Sequence, residues 1–103
     1  MLAHSPLPDC LFCTSDYIAL GALKALHEKQ IKIPEQIEII SVGNGNTEQE
    51  KFCVPSLSVM SLPMEEMAEA CLTLLYTRIT SFDMEIHTKK FDVKYIARES
   101  CGE

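Results

Sequence analysis

Short apolar runs alternating with a helical period constrain this chain more than any other feature. Residues 10–14 are apolar apart from Thr14, and residues 37–42 carry Ile37, Ile39, Ile40 and Val42. Each is the length of a strand, and the absence of clean polar alternation in 37–42 is the pattern of a strand covered on both faces. Between them, apolar positions recur every three to four residues from Asp16 to Gln30. A weaker strand is predicted at 57–60, a helix at 63–80 and a last strand at 91–96. Residues 1–9 read as an irregular lead-in and 98–103 as a polar tail. Strand, helix and strand in this order predict βαβ crossovers, hence an α/β fold with a parallel sheet flanked by helices.

The first helix has legible ends and faces. Ser15-Asp16 offers capping chemistry at its start, and Ile33-Pro34 returns the chain to a loop after it. At about 100° per residue, Ile18, Ala19, Ala22, Leu23, Ala25 and Leu26 form one broad face that belongs on the sheet. Lys24, His27 and Glu28 mark the opposite side, and Tyr17 and Leu20 fall among them. Scattered exposed apolar residues are ordinary. An outward Leu beside an outward Tyr is equally the centre of a subunit contact. In the second long helix, Pro63 suits the first turn, Glu65 and Glu66 complement its positive end, and Met64, Met67, Ala68, Cys71, Leu74 and Leu75 repeat at helical spacing.

Composition removes several classes of function. The 103 residues suffice for at most one domain, too few to close a cleft between two full lobes. A formal charge of -6 leaves no basic footprint for phosphates, so any DNA-reading element lies outside this stretch. The mean hydropathy of +0.05 suggests that some apolar surface meets a partner. Cys10, Cys13, Cys53, Cys71 and Cys101 are odd in number and irregularly spaced, unlike a disulfide framework. Cys10 and Cys13 form a C-x-x-C, but positions three apart on a strand point to opposite faces, and no second pair or His cluster follows at metal spacing. A reducing compartment, the cytoplasm, is therefore expected. With no apolar span of about 18 residues and no basic-then-apolar leader, neither a membrane crossing nor export is expected. Ser15, Ser41, His27 and Cys53 offer reactive groups, and His4, His27 and His87 are spread over a lead-in, a helix face and a late loop. No G-x-S-x-G elbow, phosphate loop or spaced His pair organises them, so neither catalysis nor a metal or cofactor is expected.

Five segments, in order, resemble one family. Leu11-Phe12-Cys13-Thr14-Ser15-Asp16-Tyr17-Ile18-Ala19-Leu20-Gly21-Ala22 is similar to a strand-to-helix passage written F-C-x-N-D-x-x-A-L-G-A. Ile33-Pro34-Glu35-Gln36-Ile37 resembles V-P-E-D-V, and Pro55-Ser56-Leu57-Ser58-Val59 resembles P-P-L-T-T-V. Pro63-Met64-Glu65-Glu66-Met67-Ala68 resembles Q-P-x-x-E-M-G, and Ile96-Ala97-Arg98-Glu99-Ser100 resembles a closing V-x-R-E-S. Together they are similar to the effector domain of the lactose/galactose-repressor (LacI/GalR) family. The resemblance implies a two-lobed periplasmic-binding-protein-like fold with a small effector, usually a sugar, between the lobes, and a DNA-binding headpiece upstream. Residues 9–62 and 90–100 would then belong to the C-terminal lobe, and the helix at 63–80 would cross to the N-terminal lobe. A periplasmic sugar receptor shares this fold; the cysteines and the Arg98-Glu99-Ser100 ending weigh against it.

Both the resemblance and general α/β physics place a ligand beyond the carboxyl ends of the strands. Phe12, Ser15, Asp16, Gly43 and Asn44 are the candidate ligand residues. Phe12 either stacks on a ring or fills the core, and Asp16 either meets a ligand or caps its helix. The family's G-[FY]-D-[DN] motif stands here as Ser41-Val42-Gly43-Asn44, so Gly43 replaces an Asp and Asn44 would take over its hydrogen bonding. Leu62 stands where a crossover Gln is frequent. The resemblance also implies a homodimer built on the first helix, with Leu20 at its centre and Tyr17, Leu23 and Phe52 around it.

Overall fold

The structure, a computed structural model, describes residues 6–81 and 88–102. The expectations for residues 1–5, His4 and His87 lie outside that range. Four strands, β1 (Cys10–Cys13), β2 (Glu38–Gly43), β3 (Ser58–Ser61) and β4 (Lys94–Ile96), form one sheet in the order β1-β2-β3-β4. Helix α1 (Asp16–Glu28) joins β1 to β2, the short α2 (Glu48–Phe52) lies between β2 and β3, and α3 (Met64–Ser81) follows β3.

The first three strands are parallel, as the spacing predicts, with Cys13 opposite Ser41 and Gly43 opposite Ser61. The fourth is not. β4 runs antiparallel to β3, with Val59 opposite Ile96 and Ser61 opposite Lys94, and it is shorter than the predicted 91–96. The sheet is therefore mixed. A parallel β4 would need a helix packed on the sheet to carry the chain back to the start of β3. Helix α3 buries no residue and supplies no such crossover.

The core lies between α1 and one face of the sheet. Ala19, Leu23 and Leu26 meet Cys13, Ile37, Ile39, Leu57 and Val59. Each fully buried Leu or Ile stabilises the fold by about 1.5–3 kcal/mol relative to exposure, so this cluster outweighs the marginal propensity of an isolated 13-residue helix. The strand β2 alternates half-buried and buried positions. Its buried side chains face α1. On the other face Phe12 sits beside Ile40 and Val42 beside Met60, and none of the four is buried. The expectation of a sheet covered on both sides thus fails for the described residues, because no described helix packs there. Helix α1 is also narrower in its contacts than predicted, with Ile18 exposed rather than inward.

Ser15 caps α1, its hydroxyl accepting the Ile18 N–H at 3.3 Å. The helix closes two residues before the predicted Gln30. There Gln30 takes a left-handed φ of 58° and the amides of Gln30 and Ile31 donate to the carbonyls of His27 and Leu26, a Schellman end. Helix α2 was not predicted. Thr47 and Glu50 form a capping box, the Glu50 N–H donating to Thr47 Oγ1 at 3.2 Å and the Thr47 N–H to Glu50 Oε1 at 3.0 Å.

The predicted polar tail is structural. Ser100 is buried, accepting the Ser58 N–H at 2.8 Å and donating to the Ile39 carbonyl at 2.6 Å. Arg98 donates to the carbonyls of Leu57 at 2.9 Å and Gly45 at 2.8 Å. Glu99 accepts from both the amide and the hydroxyl of Ser56. The tail occupies the space alongside the start of β2 that β3, beginning later in register, leaves open. With α3 standing clear of this body, the radius of gyration is 18.0 Å, against about 13 Å for a compact chain of 100 residues.

Candidate functional site

The parallel register brings the ends of β1 and β2 to one rim. Beyond Cys13 the chain turns into α1, and the first helical residue, Asp16, points back at β2. Its Oδ1 accepts the Ser41 hydroxyl at 2.7 Å. Asp16 therefore does not cap its helix; Ser15 does, and the Asp16 carboxyl is free for other work. On its far side lies Glu50, which is 0% exposed and is the buried residue of α2.

Two carboxyls in contact cannot both be ionised without strong repulsion. Burial first, then the bond to Glu50, push the Asp16 carboxyl up to about 6, against the opposing pull of the Ser41 hydroxyl and the Arg98 charge. For Glu50, burial alone would raise the value, but the bond from Asp16 and the bonds from Thr47 and the Gly45 N–H hold it below the usual range. Of the two, Asp16 is the carboxyl that holds a proton to higher pH. Glu50 Oε2 is buried with no hydrogen-bond partner, and the Asp16 carboxyl lies beside it.

Gly43 forms the floor under both. A Cβ built there would stand within 2.3 Å of Glu50 Oε2 and 2.7 Å of Asp16 Oδ2. Its missing side chain faces the interior pair, so this position has no room for the carboxylate that the family pattern puts in the motif. Asn44, next along, is exposed, and its carbonyl accepts the Ser61 hydroxyl at 2.7 Å. It lines a groove of about 320 Å³ with Ser61, Leu62, Pro63 and Glu65. Phe12 is 61% exposed on the open face of the sheet, so it does not fill the core. Ser15 is half-buried with its hydroxyl engaged in the cap.

Of the expected ligand residues, the structure brings Asp16 and Gly43 together at the rim, with Asn44 next along the chain. Phe12 and Ser15 flank them on β1 and its turn. The sequence reading missed Ser41, Glu50 and Arg98 as partners of Asp16. One signal for Glu50 was present, the T-x-x-E spacing of Thr47 and Glu50. A larger hollow of about 760 Å³ lies between α3 and residues 89–92 and shares Pro63 and Glu66 with the groove at Asn44. It exists because α3 stands off the sheet, so its size measures separation rather than a shaped site. Among the described residues no three His, Cys, Asp or Glu side chains gather in a way that could hold a metal ion.

Of the expected dimer residues, Tyr17 is 79% and Phe52 75% exposed. Leu20 is half-buried and packs against the edge of the core, while Leu23 is 7% exposed and belongs to the core itself. Leu23 has little surface left to offer a partner.

Three parallel strands and one antiparallel strand with flanking helices, and polar residues at the carboxyl ends of β1 and β2, define the class of fold. Residues 1–101 match the periplasmic binding protein-like domain model, and the chain belongs to that family, in the LacI-type branch. It is 32% identical over 97% of its length to the HTH-type transcriptional repressor PurR of Pasteurella multocida, and covers 29% of that protein. It is 34% identical over 88% of its length to the HTH-type transcriptional regulator MalR of Clostridium butyricum, and covers 26% of it. Among solved structures, a LacI family transcriptional regulator from Enterococcus faecium with bound ribose superposes with a TM-score of 0.77 at 26% identity, over 97% of this chain and 36% of that one. The chain thus spans under a third of the curated relatives it matches.

Proposed function

We propose that this chain is the effector-sensing and dimerisation portion of a sugar-responsive transcriptional repressor acting in the cytoplasm, and not an enzyme. Its effector is a small molecule of the sugar class, held between the rim described above and a second lobe. Residues 9–62 and 90–100 form the C-terminal lobe and residues 63–80 the helix that crosses to the other. DNA is reached through a headpiece outside this sequence. The observation carrying the reading is the rim itself: Asn44 stands exposed beside a groove at the end of β2, where α/β sheets bind small molecules. Helix α3 supports the division, since it exposes Leu72, Leu75, Tyr76 and Ile79 and buries nothing against its own sheet. The printed names of the relatives, a repressor and a regulator, support regulation over catalysis. No described helix is long and apolar enough to cross a membrane.

Thermal unfolding of the polypeptide carrying this chain, screened against mono- and disaccharides, tests the effector. A ligand that binds the folded state raises the midpoint, and Asn44→Ala is expected to abolish that rise. A sugar-induced rise that Asn44→Ala leaves intact would remove Asn44 from the site; no rise with any sugar would remove the class. For the homodimer, the half-buried Leu20 and exposed Tyr17 and Phe52 are the proposed contact. Leu20→Asp should shift sedimentation toward monomer while Leu20→Met does not; equal behaviour of all three would sink the contact.

A further inference from the structure

The carboxyl pair under the rim carries more than a packing role. Helix α2 has five residues, and the side chain it buries is Glu50. Its neighbours in the helix, Glu48, Gln49, Lys51 and Phe52, are all exposed. The Cys53 cap packs against the core and the Leu57 N–H donates to the Glu50 carbonyl at 2.9 Å, but the one side chain that the helix itself buries is the Glu50 carboxyl. Glu50 Oε1 is occupied within α2 by the Thr47 amide, which leaves Oε2 to make the contact with α1. Opposite Oε2 stands another acid, Asp16, held in place by Ser41.

We propose that Asp16 and Glu50 form a one-proton latch that seats α2 against the rim while the proton is present and releases it when the proton is lost. With one proton, the pair makes a strong hydrogen bond between an acid and a carboxylate. Without it, two negative charges face each other, one half-buried and one fully buried, and Glu50 Oε2 has no hydrogen-bond partner. The remaining polar groups facing the pair are few. From β2 comes the Ser41 hydroxyl, from the β2–α2 turn the amides of Gly45 and Thr47, and from the closing segment Arg98, with the Cys53 thiol at the far end of α2. Arg98 is committed to the carbonyls of Leu57 and Gly45, so it tempers the repulsion without bridging the two acids. Gly43 makes the arrangement possible by leaving the space in which the oxygens meet.

The sign follows from the two carboxyls. Asp16 is raised to about 6, so its stabilisation is complete below the ordinary carboxylate range and lost as pH rises through about 6. Glu50 is lowered, so its contribution persists until pH falls well below the ordinary range. The latch is closed between those limits and opens toward neutral pH. Because Asn44 and α2 share one turn after β2, opening would move the rim. The proposal stands on the fold alone and does not require the ligand to be a sugar.

Hydrogen exchange of the full chain from about pH 5 to about pH 8, corrected for intrinsic rates, reads the latch directly. The amides of Lys51 and Cys53, which donate within α2, should lose about tenfold in protection above about pH 6.5. The Ile39 amide, bonded to Ser100, should keep its protection throughout. Asp16→Asn and Glu50→Gln each replace one acid by an amide that can donate to the other, so both should hold α2 protected across the range. A flat profile in the parent chain, or the parent's profile retained in both variants, would overturn the latch. If a variant folds poorly, carboxyl carbon shifts of Asp16 and Glu50 in the parent chain decide the matter. A transition of the pair near pH 6 supports it, and two independent acids with ordinary values contradict it. Restoration of α2 protection at neutral pH by millimolar calcium or magnesium would instead reveal a cation site and overturn the proton reading.

Discussion

The closing segment around Arg98, Glu99 and Ser100 and the pair formed by Asp16 and Glu50 both fasten distant stretches of chain to β2, with opposite chemistry. In the closing segment donors meet acceptors: the Ser100 hydroxyl both gives and receives, and Arg98 spreads its guanidinium over two carbonyls. In the acid pair, like faces like and the contact exists only with a shared proton. Burial does not distinguish them, since Ser100 and Glu50 are both 0% exposed. The difference lies in complementarity. A buried polar group whose partners are built in adds stability at any pH, whereas one whose partner is a titrating acid makes stability conditional.

Substitutions at the two places sharpen the contrast. Ser100→Ala strips the Ser58 amide and Ile39 carbonyl of their hydroxyl partner inside the sheet, and should cost about 2–4 kcal/mol by urea unfolding. The slope of stability against pH should match that of the parent. A cost under about 0.5 kcal/mol would mean that water replaces the hydroxyl. Gly43→Ala acts on the other cluster. A methyl forced among the carboxyl oxygens should cost about 1–3 kcal/mol, as overpacking does. This loss should be greatest at neutral pH, where the acids already repel. A cost independent of pH would separate Gly43 from the pair.

The reading of the sequence succeeded where a single local signal sufficed. The apolar runs gave β1 and β2, helical spacing gave α1 and α3, and Ser15 stood where its cap is found. It failed where the decisive partner lies far along the chain. Ser100 is buried because of groups 42 and 61 residues away, and nothing in a Ser among polar neighbours announces that. The direction of β4 likewise depends on what α3 does in space: an amphipathic pattern promised a packed crossover, yet the helix stands free of its own sheet. Helix α2 is too short to show a period, although Thr47 and Glu50 carried a capping signature. Of the site, the rim position was legible from strand ends and from the family resemblance. The turn of Asp16 inward, toward Ser41 and Glu50, was not, because a carboxyl at a helix start has capping as its commonest use.

Backbone amide shift mapping during titration with a sugar that stabilises the protein tests the rim most directly. The changes are expected to gather at residues 12–16 and 43–46 and to spread into α2. A ligand whose changes fall instead on residues 66–74 and 89–92, the wider hollow beside α3, would contradict the assignment of the strand ends as the binding edge.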